Sequence, residues 1–413
     1  MTAAPPRIVA GSTRHFEADP IGFLLSRHAE HGDAFAVLLD DIPTVIFGGA
    51  AGPATLFKAE RDHLAVHNTS SVHRLFRRAV FNLTGEAHLN ARRVLSQTLT
   101  GSRLRDLIPA LNALVDNHVA RWAGLAPFDL HEATRRLTLD VCARVILGLP
   151  PGGSDDRAFP VVFEAFAAAA NIQSETDTAS AMVHRQGLDA AECLREMIVR
   201  RATTPFGLNV ASLLTAADGM SLADVADHLL ALLIAARETT ATLLTWALIE
   251  LAGDPESGNT VAEASGHSAP PTPRNLLREI CRLHSPNTLS RRIVVKDLPT
   301  AFGLIPRGWH AAYSPAANHL LADQFEDPLR FWPGRFVGSA GARHAAGLLT
   351  FGRGDHACLG RQFAERIALR VLETVTCSFR PVLLNTRPEV HQYLPLKIPA
   401  CPVWAALKCS EAL

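Results

Sequence analysis

The sequence carries no excess of either charge. Lysine plus arginine and aspartate plus glutamate number 40 each in 413 residues, so no general electrostatic attraction points to nucleic acid or an anionic membrane as partner. It also lacks a run of the roughly 20 apolar residues needed to cross a bilayer. The most apolar stretch, residues 229–236, is too short. Residues 1–16 are polar and contain prolines without an apolar segment, which predicts neither a signal peptide nor a membrane anchor, and residues 1–15 read as a flexible N-terminus. The seven cysteines (142, 193, 281, 358, 377, 401 and 409) are odd in number and scattered, with no C-x-x-C pair. A disulfide framework or structural zinc site is therefore not expected, and a reducing compartment fits better. No internal repeat is visible. The expectation is a cytoplasmic monomer with no nucleic-acid or membrane role.

What is present is material for a large core, 48% hydrophobic against 19% charged residues. Asp19-Pro20 starts a helix and Gly32 stops it. Short β-like runs follow at 34–39 and 44–47 around Asp40-Asp41, the pattern of a hairpin. Residues 51–60 read as a further helix and 66–84 as a long irregular loop. Helical periodicity then dominates at 88–99, 104–122, 130–149, 158–170 and 180–201. Ser221-Leu222-Ala223-Asp224 opens a helix persisting to about residue 252, roughly 30 residues and about 45 Å long. Residues 253–273, rich in Gly, Ser, Thr and Pro, read as an atypical loop. A helix at 274–283, small β-like pieces near 292–295, a proline- and aromatic-rich coil at 325–336, a helix to about 375 and a β-like tail complete the chain. The expected architecture is mainly α with a minor β portion, one domain over residues 1–413.

Residues 351–360 (FGRGDHACLG) set one cysteine among three glycines, immediately before a segment with amphipathic helical spacing. A thiol at a helix N-terminus is favoured as thiolate, hence as metal ligand or nucleophile. The glycines let the backbone turn tightly and approach a flat ligand. A buried structural thiol is the alternative for any single cysteine. The spacing F-x-x-G-x-x-x-C-x-G, with His two residues before the cysteine, resembles the cysteine-ligand loop of the cytochrome P-450 superfamily. That resemblance implies haem b with Cys358 as axial thiolate, Phe351 against the sulfur side, Gly360 beside the cofactor, and His356 with Arg353 near the propionates.

Four further motifs resemble the family's in the expected order. Glu279 and Arg282 form an E-x-x-R pair on one helical face; alone it reads as a solvated surface pair. With Arg335 in the upstream coil, the resemblance implies a buried structural triad. Glu238 and Thr239 lie mid-helix. One reading has Thr239 bonded back to a carbonyl one turn earlier and Glu238 in a salt bridge; the resemblance implies catalytic proton delivery. Ala236 stands where the family commonly has glycine. His88 and Arg92, one helical turn apart, match the pair that clasps a propionate, and Arg292 matches a third such position, with Arg291 the alternative register. A surface pair is the plainer reading of His88 and Arg92.

For a substrate pocket the resemblance offers Val72, Leu75, Phe76, Phe81, Phe163, Phe166, Leu232, Ala235, Asn287, Leu289, Gln392 and Leu394, many of which read equally as core. Few are polar, so a mostly apolar small molecule is expected. Arg343, Arg353, Arg361, Arg366 and Arg370 suit docking of an acidic ferredoxin supplied by its reductase, or form a solvated face. The implied activity is a soluble bacterial-type haem-thiolate monooxygenase of secondary metabolism. Bond-forming or peroxide-driven chemistry on the same haem, and a haem-lacking helper protein, are the alternatives.

Overall fold

The structure is a computed structural model and describes residues 4–9, 13–66, 70–125, 127–171, 178–204, 206–217, 219–253 and 272–409. Its helices, in chain order, are α1 (Thr13–Ala18), α2 (Pro20–His31), α3 (Gly52–Ala59), α4 (Ser70–Phe76), α5 (Gly85–Leu99), α6 (Gly101–Gly124), α7 (Leu130–Val141), α8 (Ser154–Ala170), α9 (Thr178–Thr203), α10 (Val210–Thr215), α11 (Leu222–Gly253), α12 (Pro273–Leu283), α13 (Pro315–Asn318), α14 (Gly338–Gly347) and α15 (Arg361–Ser378). The fold is mainly α with a minor β portion. Of the loop expected at 253–273, residues 254–271 lie outside the described residues.

Local chemistry sets the helix starts. Asp19 caps α2 by accepting from Gly22 N at 2.9 Å ahead of Pro20. Thr272 caps α12 ahead of Pro273. Ser221 and Asp224 exchange hydrogen bonds at the head of α11. At 32 residues, α11 is about 48 Å long. It is apolar around its circumference, as a helix surrounded by the core must be. By length and composition alone it also qualifies to cross a membrane, yet 67% of its most apolar window is buried within the fold. A single apolar cluster gathers side chains from α4 through α12, α15 and the tail strands around it.

The largest sheet has five strands in the order β1-β2-β8-β5-β3, namely Ala34–Leu39, Ile42–Phe47, His310–Tyr313, Ser290–Val294 and Leu64–Val66. Only β2–β8 is parallel. Asp40 and Asp41 take φ of 54° and 61°, the left-handed pair of a type I′ hairpin turn. A three-stranded sheet joins β4 (Phe128–Asp129), β12 (Trp404–Cys409) and β9 (Phe379–Leu383); β6 (Leu298–Thr300) with β7 (Gly303–Ile305), and β10 (Val390–Gln392) with β11 (Ile398–Pro399), are small antiparallel pairs.

Two expectations are revised. Residues 66–84 are not one irregular loop, for they hold α4 and a 3-10 turn at Val80–Asn82; their apolar residues face different neighbours, so no clean period shows in the sequence. The helix expected over 130–149 ends at Val141 and passes through a π-helical turn at Cys142–Ile146, after which Gly148 turns the chain at φ 66°.

Candidate active site

The cysteine loop folds as its glycines require. Gly352 and Gly354 take φ of 63° and 72°, and a Cβ on Gly354 would sit 2.7 Å from Glu60 Oε2, so only glycine fits there without displacement. Cys358 N donates to Phe351 O at 2.7 Å, closing the loop. The thiol lines a cavity of about 450 Å³. Burial pushes its pKa up, opposed by the Gly360 N–H and the guanidinium groups of Arg92 and Arg361. The Arg361 guanidinium lies 5.3 Å from the centre of the Phe351 ring, which shares the cavity wall.

The opposite wall is α11, contributing Leu232, Ala235, Ala236, Thr239, Thr240 and Leu243. One edge is cationic. His88 and Arg92 reach it from α5, Arg292 from β5 and His356 from the cysteine loop. His88 and His356 stack with ring centres 4.1 Å apart. Burial, then Arg92, holds His88 down at about 4; burial, then Arg292, holds His356 at about 3. Arg92 Nη2 donates to Ala357 O at 2.6 Å. Arg292 donates to Ser290 Oγ and Arg291 O through Nη1 and to Glu60 Oε1 at 3.0 Å through Nη2. Its buried Nε has no hydrogen-bond partner among the described residues. Arg291 turns the other way, to Asp40 at 2.9 Å, so that of the two only Arg292 lines the cavity. Glu60 is a further buried member of this cluster, its pKa raised by burial against the pull of Arg292.

Thr239 lines the cavity and donates to Ala235 O at 2.5 Å, while Thr240 joins the same wall. Glu238 is not among the lining residues. Its carboxylate is held by Arg135 Nε at 3.2 Å and by Arg237, which also contacts Glu164. The back-bonded threonine and salt-bridged glutamate are thus both present, with the hydroxyl at the cavity and the carboxylate away from it.

Below the cysteine loop, Glu279, Arg282 and Arg335 come together with fully buried side chains. Arg282 grips Glu279 with two bonds of 2.8 Å and Arg335 Nε lies 3.1 Å from each carboxylate oxygen. Trp332 N adds a fourth donor group at 2.8 Å. The outer guanidinium nitrogens donate to backbone carbonyls, among them His319, Pro328 and Glu326.

The family model for Cytochrome P450 matches residues 208–393, the span holding α11, this triad and the cysteine loop. Residues 208–393 thus match the cytochrome P450 family. Over 418 residues it is 27% identical to "Abscisic acid 8'-hydroxylase 3" of Oryza sativa subsp. indica, covering 93% of this chain and 81% of that protein. "Putative cytochrome P450 136" of Mycobacterium tuberculosis is 26% identical over 358 residues, 79% of this chain and 72% of the other. The solved structure "Retinoic acid bound cyanobacterial CYP120A1" superposes with a TM-score of 0.84 at 22% identity, over 99% of this chain and all of that one.

The P450 match implies a haem-thiolate cofactor, and the residues present fit one. The cavity pairs the Cys358 thiol with open space above Gly360, where a Cβ would meet nothing within 4 Å. Its cationic edge keeps an unpartnered buried N–H on Arg292. Of the other expected site residues, Phe81, Leu232, Ala235 and Asn287 line the cavity. Leu75, Phe76 and Phe166 stand behind its wall, where Phe76 packs edge-on against Phe81 and Phe166 at 5.6 and 5.5 Å. Phe163 is buried beside Phe166, and Val72 packs on that core. Leu289 and Leu394 pack at the N-terminal sheet, and Gln392 pairs with Ile398. Sequence reasoning missed Val80, Ile146 and Thr240 in the lining.

Arg353 turns from the cavity to Ala346 O. With Arg274, Arg278 and Arg361 it surrounds a second hollow of about 370 Å³ behind the cysteine loop. Arg370, by contrast, is occupied by Asp116.

Proposed function

We propose that this cytochrome P450-type oxidoreductase inserts one oxygen atom of dioxygen into a mostly apolar small molecule bound between α11 and the cysteine loop. The observation that carries this reading is the thiol of Cys358 and the hydroxyl of Thr239 on walls of one cavity. Haem b, held with Cys358 as its thiolate ligand, supplies the dioxygen activation, with thiolate donation favouring O–O cleavage. His88, Arg92, Arg292 and His356 would hold its two carboxylates, Arg292 through the Nε–H left without a partner.

The protein's own part is to position and to manage protons. A hydroxyl donating to a carbonyl keeps its lone pairs to accept, so Thr239 can hold a proton donor such as water at the wall. Glu238 stands one residue behind, tied to Arg135 and Arg237 and through them to the partly exposed Glu164. Rotation away from those arginines would let its carboxylate take up a proton from solvent and, as the carboxylic acid, pass it to the cavity. Phe81, Leu232 and Ala235 support an apolar substrate, with Asn287 as polar anchor. The relatives named abscisic acid 8'-hydroxylases act, by those names, on a small molecule by hydroxylation, which supports the same class of reaction here. Secondary metabolism is the proposed setting.

Ferredoxin and its reductase are the proposed electron donors, supported by Arg274, Arg278, Arg353 and Arg361 behind the cysteine loop. A cytoplasmic location is supported by the seven free cysteines, and we propose one monomeric domain over residues 1–413. The test is turnover with ferredoxin, its reductase and isotopically labelled dioxygen on a substrate found by its shift of the haem spectrum. One labelled oxygen atom in the product is expected; an oxidised or coupled product without label would overturn the reading in favour of bond-forming chemistry.

A further inference from the structure

Segment 75–81 carries Val80 and Phe81 into the cavity wall, yet hydrogen bonds from outside that cavity fix its backbone. Val80 N donates to His228 Nδ1 at 3.0 Å in a buried contact. Arg78 N donates to Asp227 Oδ2 at 3.2 Å. Arg195, on α9, donates to the other oxygen of Asp227 at 2.7 Å and to Leu75 O at 2.5 Å. Asp227, His228 and Arg195 are all buried. One turn further along α11, Leu232 lines the cavity. The same helix therefore forms one wall and clamps a second.

We infer that Asp227 and His228, with Arg195, form a latch that positions segment 75–81 and thereby governs ligand passage into the cavity. His228 is a positioning residue: it acts through Val80 and does not line the cavity. The inference rests on the reading of that cavity as the substrate site.

Chemistry makes the latch conditional. Nδ1 accepts only when it carries no proton; a second proton on the ring would set N–H against N–H at Val80. The charged groups around His228 are Asp224 and Asp227 on its own helix, Arg78 from the clamped segment, itself 3.1 Å from Asp224, and Arg195 from α9. The two carboxylates favour an imidazolium, but burial outweighs them and holds the pKa below the ordinary histidine value. The contact is therefore made at neutral pH and lost in acid.

The test uses the haem-loaded protein and 4-phenylimidazole, whose entry and exit are followed by stopped-flow Soret absorbance. His228→Leu is expected to raise the exit rate about tenfold by stranding the Val80 N–H. His228→Asn, whose carbonyl oxygen replaces Nδ1 as acceptor, should match the unsubstituted protein at pH 7.5 but lose the acceleration that protein shows toward pH 5. Hydrogen–deuterium exchange over residues 75–82 should rise in His228→Leu and not in His228→Asn, a readout independent of haem. Equal exit rates and exchange in all three proteins, or a His228→Asn variant that shares the acid acceleration, overturn the latch. If His228→Leu fails to fold, the pH comparison with His228→Asn alone decides. Absence of any Soret response to the probe, with the exchange pattern as expected, would refute the substrate-site reading and with it the control of passage, leaving only the positioning of segment 75–81 by His228.

Discussion

Replacing Glu279 with glutamine tests whether the charge triad beneath the cysteine loop holds the fold. The substitution keeps the shape and one acceptor oxygen but removes the carboxylate that pairs with two guanidinium groups of zero side-chain exposure. Arg282 and Arg335 retain their bonds to carbonyls of His319, Pro328, Arg330, Glu326 and Asp327, so neither loses every partner. Both, however, become buried positive charges without a counter-ion, and Trp332 N then competes for a single oxygen. Breaking a buried pair in this way costs roughly 3–5 kcal/mol, against a typical total stability of about 5–15 kcal/mol. Urea unfolding followed by circular dichroism is expected to show a loss of that size. The double variant Glu279→Gln/Arg335→Met, which removes one stranded charge, should recover part of it. A loss below about 1 kcal/mol for Glu279→Gln would refute the argument, since that is the range of an exposed pair.

Thr239→Ala removes a hydroxyl from the cavity wall, and substrate turnover with dioxygen and ferredoxin is expected to fall by about 100-fold, the lower range for a positioned proton donor, with peroxide-driven turnover little changed; equal losses in both assays would argue for a structural role. Acid stability should depend on the buried cluster of Glu250, His284 and Lys397. His284 Nε2 meets Glu250 Oε1 at 2.5 Å while Lys397 Nζ lies 2.9 Å from Nδ1. Burial, then Lys397, holds His284 down at about 3; its hydrogen bond to His284 leads the effects that bring Glu250 to about 2 against burial. Both folded values lie below the unfolded ones, so the unfolded state binds more protons and stability falls with acid, between about 6.5 and 3 for His284 and between about 4.5 and 2 for Glu250. His284→Asn should flatten the loss of unfolding free energy between pH 6.5 and 4; an unchanged slope would contradict the assignment.

Much of the architecture was legible because it rests on local signals. Capping at Asp19 and Ser221, the breaks at Gly32 and Pro273, and helical periodicity place α2, α11 and α12 within a few residues. The cysteine loop and the Glu279–Arg282 pair were legible as motifs because their function fixes short spacings. What stayed hidden depends on pairing across the chain. Glu60 meets Arg292 across 232 positions, and His228 meets Val80 across 148; neither leaves a pattern in its own neighbourhood. The direction of Glu238 was equally hidden, because mid-helix neighbours point about 100° apart and Arg135, arriving from α7, joins Arg237 in drawing that carboxylate away. Phe76 and Phe166 illustrate the remaining difficulty: an aromatic residue near a cavity and one lining it look alike in sequence, and here Phe76 packs behind Phe81 and Phe166 behind Phe76.

The central claim is that Cys358 is the thiolate ligand of a haem in this cavity. The most direct measurement is the absorbance spectrum of the reduced, haem-loaded protein under carbon monoxide. The red-shifted Soret band of thiolate ligation is expected, and it should be absent in Cys358→Ala. A reduced carbon monoxide complex lacking that band, or the same band in Cys358→Ala, would contradict it.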